Sequence, residues 1–288
     1  SVPDWDNQQA LLIFEQMLID NETIEAAIAA NDGLAQAVIS ATQNAEMDFI
    51  PVTGQDATVG GIQNVLAGRQ SMTVYKAIRA EASAAAELAI ALLNGEDTSG
   101  LVTGAVNNGT NDIPSVLLTP VSVTSANVGP TVIADGFRTW DEICVDEFAD
   151  FCPGNIAEVA SGNDAFTTLV AAADAAGLVE TLMGEGPYTV FAPTNDAFAA
   201  ALESMGMTAE ELLASEDLGS ILTYHVVPAQ AYSTNLSDGM VVDTVNGGSL
   251  TINVSEDGVT VNGVNVVIPD VAAINGVIHV IDGVLLPE

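Results

Sequence analysis

Between residues 7 and 20 the apolar positions Ala10, Leu11, Phe14, Met17 and Leu18 recur at three- and four-residue intervals, which is one face of a helix. The next run, "IEAAIAA", is short and apolar and stops at Asn31-Asp32-Gly33, which predicts a short buried strand. The alternation then repeats. "LAQAVISATQ" reads as helix, and "FIPVT" as a strand stopping at Gly54-Gln55-Asp56. "TVGGIQNVLAG" reads as helix, and "SMTVY" as a strand stopping at Lys76. "AEASAAAELAIALLNG" is an alanine-rich helix that Gly95 closes as C-cap. Strands alternating with helices predict an α/β fold with a parallel sheet.

Past residue 155 the rhythm changes. Helices are expected around residues 165–176 and 178–183, and Thr208 with Glu211 forms a capping-box pattern. "SLTINVSEDGVTVNGVNVVIP" alternates apolar and polar positions around two hairpin signals, Asp257-Gly258 and Asn262-Gly263. "GVIHVIDGVLLP" supplies a final strand. This half reads as α+β with a largely antiparallel sheet.

Composition sharpens the division. A chain of 288 residues suggests two domains, and its 49% apolar content can fill their cores. All four Lys/Arg residues lie in 1–152, and 153–288 has none. The cysteine stretch "EICVDEFADFCPGN" therefore marks a seam, giving an α/β region at 1–140, a linker at 141–154 and an α+β domain at 155–288. The net charge of −35 excludes nucleic acid and anionic lipid as partners, since phosphate binding needs clustered cations. No apolar run approaches the roughly 18 residues of a membrane span. A basic segment followed by an apolar one is not visible at the start, so the sequence reads as a processed or truncated product. Cys144 and Cys152 lack the further Cys or His of a zinc site. Their spacing fits a short-loop disulfide formed in an oxidising compartment, contributing about 2.5 kcal/mol in the chain-entropy model. Glycosylation acceptor patterns begin at Asn21, Asn108, Asn235 and Asn253.

Lys76 is the only lysine, set against 39 acidic residues. In open parallel sheets ligands bind beyond the carboxyl ends of the strands. Asn31, Asp56 and Lys76 each follow such an end, so the three are expected to face one crevice. Together they donate and accept hydrogen bonds as a polyol requires, each bond to a charged group contributing roughly 1.5–3 kcal/mol. Trp5, ahead of the first helix, offers a flat face for the apolar side of a sugar ring. Asp4, Asp6 and Glu15 imitate a calcium loop, but Gln9 replaces its required glycine and the segment is helical, so no metal is expected.

The segments "VPDWDNQQALLIFEQML", "AANDG", "PVTGQDATVGGIQNVLAGRQSMTVYK", "NNGTNDIPSVLLTPVSVT" and "TVIADGF" resemble the C-terminal half of the periplasmic D-xylose-binding proteins of ABC importers, over about residues 2–140. The resemblance implies that Trp5 stacks on a sugar and that Asn31, Asp56 and Lys76 bind its hydroxyls. It also implies an N-terminal lobe, which these residues do not contain. The helix at 80–93, with Ala84, Leu88, Ala91 and Leu92 on one stripe, then needs cover from that lobe or from a neighbouring subunit.

"GPYTVFAPTNDAF", "YHVV" and "NGVIHVIDGVLLP" resemble a fasciclin domain over about residues 155–287. That implies an extracellular adhesion module binding proteins, glycans or copies of itself. Thr194 is expected to cap a helix after Pro193, and Tyr224, His225 and His279 to be structural. Neither a nucleophile motif, a phosphate loop nor a dinucleotide fingerprint is present, so no catalytic residue and no cofactor is expected. The chain reads as a non-enzymatic protein of the cell surface or extracellular space, or the periplasm of a diderm bacterium, that binds a monosaccharide or surface glycan. The alternative is a self-assembling subunit of a surface layer or filament built from the same fold.

Overall fold

The computed structural model describes residues 2–21 and 23–287, and the chain divides into two compact units, Ser1–Val128 and Gly129–Glu288.

In the first unit, α1 (Asn7–Asp20) begins where the Asp6 carboxylate accepts from the backbone N–H of Gln8 and Gln9 at 2.9 and 3.1 Å. This accounts for Asp6 without calcium. The chain continues through β1 (Ala27–Ile28), α2 (Asp32–Asn44), β2 (Val52–Gln55), α3 (Val59–Leu66), β3 (Met72–Tyr75) and α4 (Ile78–Asn94). A hairpin of β4 (Gly104–Asn107) and β5 (Asp112–Ser115) follows, then β6 (Val121–Val123). The sheet order is β1-β2-β3-β6. β1, β2 and β3 run parallel as expected, whereas β6 joins β3 antiparallel because the chain returns to the sheet from a hairpin and not from a crossover helix. Gly95 ends α4 in the left-handed region, at φ +69°.

One expectation for this unit is corrected. The strand foreseen at 24–30 forms only two ladder residues and is not buried: it is the sheet edge, and Ile28 is 92% exposed. Of the stripe on α4, Ala84 and Leu88 are half-buried and Ala91 is buried, while Leu92 lies exposed beside Ile90 and Leu93.

The second unit opens with α5 (Trp140–Ile143), capped by a Thr139–Glu142 box, and the Cys144–Cys152 disulfide, whose Cα atoms are 5.9 Å apart. Then come α6 (Ile156–Ser161), α7 (Thr167–Ala175), α8 (Val179–Met183), β7 (Tyr188–Pro193), α9 (Asn195–Met205), α10 (Ala209–Leu213) and α11 (Leu218–Tyr224). The strands β8 (Val226–Val227), β9 (Met240–Asp243), β10 (Ser249–Ser255), β11 (Gly258–Val261), β12 (Val264–Ala273) and β13 (Gly276–Ile281) complete it. The seven-stranded sheet has the order β8-β7-β13-β12-β11-β10-β9, antiparallel except for the β7–β13 pair. In the segment expected as a linker, 141–154, Ile143 is buried and the disulfide closes a loop, and the whole segment, with residues 129–140 before it, groups with the second unit. "TVIADGF" therefore sits there too, and not in the α/β unit.

β7 and β13 send alternate side chains into two cores. Val190, Ala192, Ile278 and Val280 join Ile156 and Phe166 on one side. Phe191 and Ile281 join Tyr224, Leu250, Ile252 and Leu285 on the other. With both faces covered, these strands read as continuous apolar runs. Asn262-Gly263 turns β11 into β12 with φ of +48° and +82°, the left-handed pair a two-residue hairpin needs. The preceding hairpin turns at Glu256-Asp257, one residue earlier than expected, and Gly258 pairs with Ser255.

Candidate functional site

Asn31, Asp56 and Lys76 follow the carboxyl ends of β1, β2 and β3, three adjacent parallel strands. All three are half-buried. Asp56 and the next residue, Ala57, hold positive φ values of +96° and +46°. Two consecutive non-glycine residues there store backbone strain of order 1–3 kcal/mol each. Neighbouring groups hold the conformation: the Asp56 N–H donates to Val74 O at 2.8 Å, and the Ala57 N–H to the buried Thr73 hydroxyl at 3.1 Å. The result carries the Asp56 carboxylate past the end of β2 to Lys76, Nζ to Oδ1 at 2.8 Å. Lys76 is thus first of all the partner of Asp56.

Asn31 caps α2, its Oδ1 accepting from Leu34 N at 2.9 Å, so its amide nitrogen is the group left for a ligand. Trp5 is 60% exposed and borders a cleft of about 350 Å³ with Phe14, Ala30 and Leu34, two of which flank Asn31. The structure pairs Asp56 directly with Lys76, places Asn31 at the same sheet end, and sets Trp5 at the cleft beside Asn31.

Sequence reasoning passed over Asp32. Its buried carboxylate accepts from Thr58 N, Thr58 Oγ1 and Gln70 Nε2 at 2.8, 3.0 and 2.9 Å, tying α2 to the starts of α3 and β3. Gly54 and Gly61 lie against it, and a Cβ at either would collide with the carboxylate. The signal was the "ND" pair with glycines at both ends of "GQDATVGG", whose glycines leave room for a carboxylate.

In the second unit both histidines are internal. The His225 Nδ1–H donates to Ile221 O at 2.8 Å, and Nε2 accepts from Leu285 N at 2.9 Å. Burial holds its pKa down at about 4, so the ring is neutral. The His279 Nε2–H donates to Ala231 O at 2.8 Å, Nδ1 accepts from Asp270 N, and the ring stacks on Phe191; burial lowers its pKa as well. Thr194 caps α9 by accepting from Ala197 N, and Thr208 with Glu211 closes a reciprocal box on α10. Another residue that sequence reasoning missed is Asn275, on the turn before β13. Its Oδ1 accepts from Ile156 N, and its amide donates to Leu182 O and Gly184 O at 2.8 Å each. Among the described residues no cluster of three or more His, Cys, Asp or Glu is arranged to hold a metal ion, and no helix is long and apolar enough to cross a membrane.

The family model of the fasciclin domain matches residues 164–287, and that of a periplasmic binding protein domain matches residues 1–97. Protein sll1483 of Synechocystis sp. is 48% identical over 162 residues, 55% of this chain and 88% of the relative. The chain belongs to the fasciclin family. Ahead of its fasciclin domain it carries a periplasmic-binding-protein domain, 41% identical over 144 residues to the D-xylose-binding periplasmic protein of Escherichia coli. That match covers 49% of this chain and 43% of the E. coli protein, so the chain spans less than half of that relative. A solved carbohydrate-transporter solute-binding protein of Chloroflexus aurantiacus, in complex with D-glucose, is 32% identical. The match covers 48% of this chain and 42% of that chain, with a TM-score of 0.44. The buried histidines and the capped α9 thus belong to the fasciclin domain, while Asp56 and Lys76 belong to the sugar-binding-like one.

Proposed function

We propose that the chain is a non-enzymatic, exported surface protein in which a monosaccharide half-site is coupled to a fasciclin adhesion module. The observation that carries this reading is the Asp56–Lys76 pair, held by strained backbone at the carboxyl end of a parallel sheet beside Asn31. A carboxylate with one oxygen left over, an ammonium and an amide nitrogen suit adjacent sugar hydroxyls, and the exposed Trp5 face suits the ring. The similarity to a D-xylose-binding protein supports a pentose or hexose as ligand. Binding in place of catalysis is supported by the two histidines, whose ring nitrogens are all taken by backbone groups.

One sheet end supplies part of a sugar's hydrogen bonds, so this reading includes a second lobe that closes on the ligand in the working particle. Leu12, Ile13 and Ile19 on α1 and Leu92 and Leu93 on α4 lie exposed, which favours further polypeptide covering this domain. The same exposure, with β1 as an open edge, favours the second reading, a self-assembling subunit whose copies cover one another.

Trp140 is buried, so a change of tryptophan emission on sugar addition reports Trp5. D-xylose, D-glucose or D-ribose should change that emission saturably in a protein carrying the second lobe, and Asp56→Ala should abolish the change. No response to any of the three sinks the sugar reading. Concentration-dependent ordered polymers in electron micrographs, without a sugar response, move the conclusion to the assembly subunit.

A further inference from the structure

The fasciclin domain contains a cavity of about 290 Å³ between α6, α7, α8 and the strands β7, β8 and β13. Its wall includes Ile156, Leu169, Val170, Leu182, Val190 and Ile278. Three polar side chains reach it, and each is already engaged. The Glu158 carboxylate accepts from Asn155 N at 2.9 Å, and the Ser161 hydroxyl donates to Glu158 O at 3.0 Å. His225 spends both ring nitrogens on Ile221 O and Leu285 N. A buried water needs two to four polar partners, and the wall offers few: one Glu158 carboxylate oxygen, which lies on an exposed side chain, and the lone pairs of the Ser161 hydroxyl.

The rim fixes the kind of occupant. Residues 153–288 contain no Lys or Arg, and Glu158 and Glu180 stand on the two short helices beside the opening. A carboxylate or phosphate headgroup would meet only like charge there. Apolar cavities of about 150 Å³ stay dry and take up benzene, so a space near twice that size accepts about ten to twelve carbon atoms. Met183, 52% exposed, lies at the mouth on α8, a five-residue helix between Gly177 at φ +66° and Gly184.

We propose that this cavity is a binding site for a neutral, apolar small molecule of about ten carbons, of bicyclic or terpenoid bulk. It lies in the fasciclin domain and does not depend on the sugar reading of the other domain.

The test uses the full chain with 13C-labelled methionine methyls, titrated with naphthalene and, separately, with 2-naphthoate. Naphthalene is expected to shift the Met183 signal saturably. Met17, which lines the cleft of the first domain, should stay in place. 2-Naphthoate should bind at least tenfold more weakly. Ala160→Phe, filling the cavity from α6, should weaken naphthalene at least tenfold with the melting temperature unchanged or raised. Val179→Phe does the same from α8 if the first variant misfolds. An unmoved Met183, a shift at Met17 alone, equal binding of 2-naphthoate, or undiminished binding in a folded cavity-filled variant would each overturn the proposal.

Discussion

β13 and β1 show the contrast between the two domains. All six residues of β13 are buried, flanked by β7 and β12 with a core on each face. β1 has two ladder residues at the edge of its sheet, and Ile28, opposite Thr53, stands almost wholly in solvent. Around β1 the exposed apolar side chains continue along α1 as Leu12, Ile13, Met17 and Ile19. Both domains leave large apolar side chains in solvent, Val241, Val267, Ile268 and Leu286 among those of the fasciclin domain, but in the sugar-binding-like domain they gather along α1, at β1 and at the end of α4. Each large side chain left in water forgoes about 1.5–3 kcal/mol, and total stabilities are only 5–15 kcal/mol. The contrast is therefore one of placement: the fasciclin domain has a core on each face of its sheet, and the other domain exposes its apolar side chains at one sheet edge and on the helix beside it.

The largest expected effect breaks or keeps that contrast outright. A fragment of residues 129–288 should melt in a single cooperative transition. A fragment of residues 1–128 should melt broadly and bind an apolar dye before it unfolds. A start at residue 153 removes buried Trp140 and Ile143, and such a fragment should melt well below the longer one. Two equally sharp, dye-silent transitions for the 1–128 and 129–288 fragments would erase the difference.

Next come the polar hubs, one in each domain. Asp32→Ala leaves Thr58 N and one hydrogen of Gln70 Nε2 without their acceptor beside Gly54 and Gly61, and should cost about 3 kcal/mol. Asn275→Ala releases Ile156 N, Leu182 O and Gly184 O, neutral bonds worth about 2–3 kcal/mol together. Urea midpoints of the full chain should separate the two losses by transition. If both variants weaken the same transition, the domains are not the independent units inferred.

These hubs also show what a sequence conceals. Asn31, Asp56 and Lys76 were legible because strand ends are punctuated by residues that stop ladders, and a parallel sheet sends its strand ends to one side. Asn262-Gly263 was legible because few residues tolerate two successive positive φ values. Asp32 and Asn275 looked like ordinary turn residues, since their partners lie 26 or more positions away in the chain. The run at 24–30 has the same composition whether it sits in the middle of a sheet or at its edge, and only tertiary pairing decides. The cysteine stretch read as a linker because the charge pattern changes there, yet Ile143 within it and Trp140 just before it are buried.

Acid separates the domains next. Both histidines lie in the fasciclin domain. His225 has its pKa lowered from 6.5 to about 4, and His279 is lowered too, in each case chiefly by burial. Between pH 6.5 and about 4 the unfolded chain takes up protons that the folded domain refuses, so stability rises with pH across that window and falls as acid is added. His225 alone should remove about 3 kcal/mol by the lower end. The transition of the fasciclin domain should move with pH there, with proton uptake on unfolding. A transition indifferent to pH between 6.5 and 4 would mean that the rings protonate without leaving their partners.

The smallest effect concerns Asp56. Its pair with Lys76 is half-exposed and should contribute at most about 1 kcal/mol. Against that stands φ of +96°, which a side chain tolerates poorly and glycine adopts freely. Asp56→Ala loses the pair and keeps the strained backbone, so the first domain should weaken slightly. Asp56→Gly loses the same pair and relieves the strain, at the expense of a more flexible unfolded chain. The glycine variant should therefore be about 1 kcal/mol more stable than the alanine variant and close to the parent. If the carboxylate is there to hold a sugar, both variants lose the Trp5 response alike while their melting temperatures differ. Should alanine equal or exceed glycine in stability, the positive φ carries no strain. The placement of Asp56 would then be ordinary turn geometry and not a conformation held for a ligand.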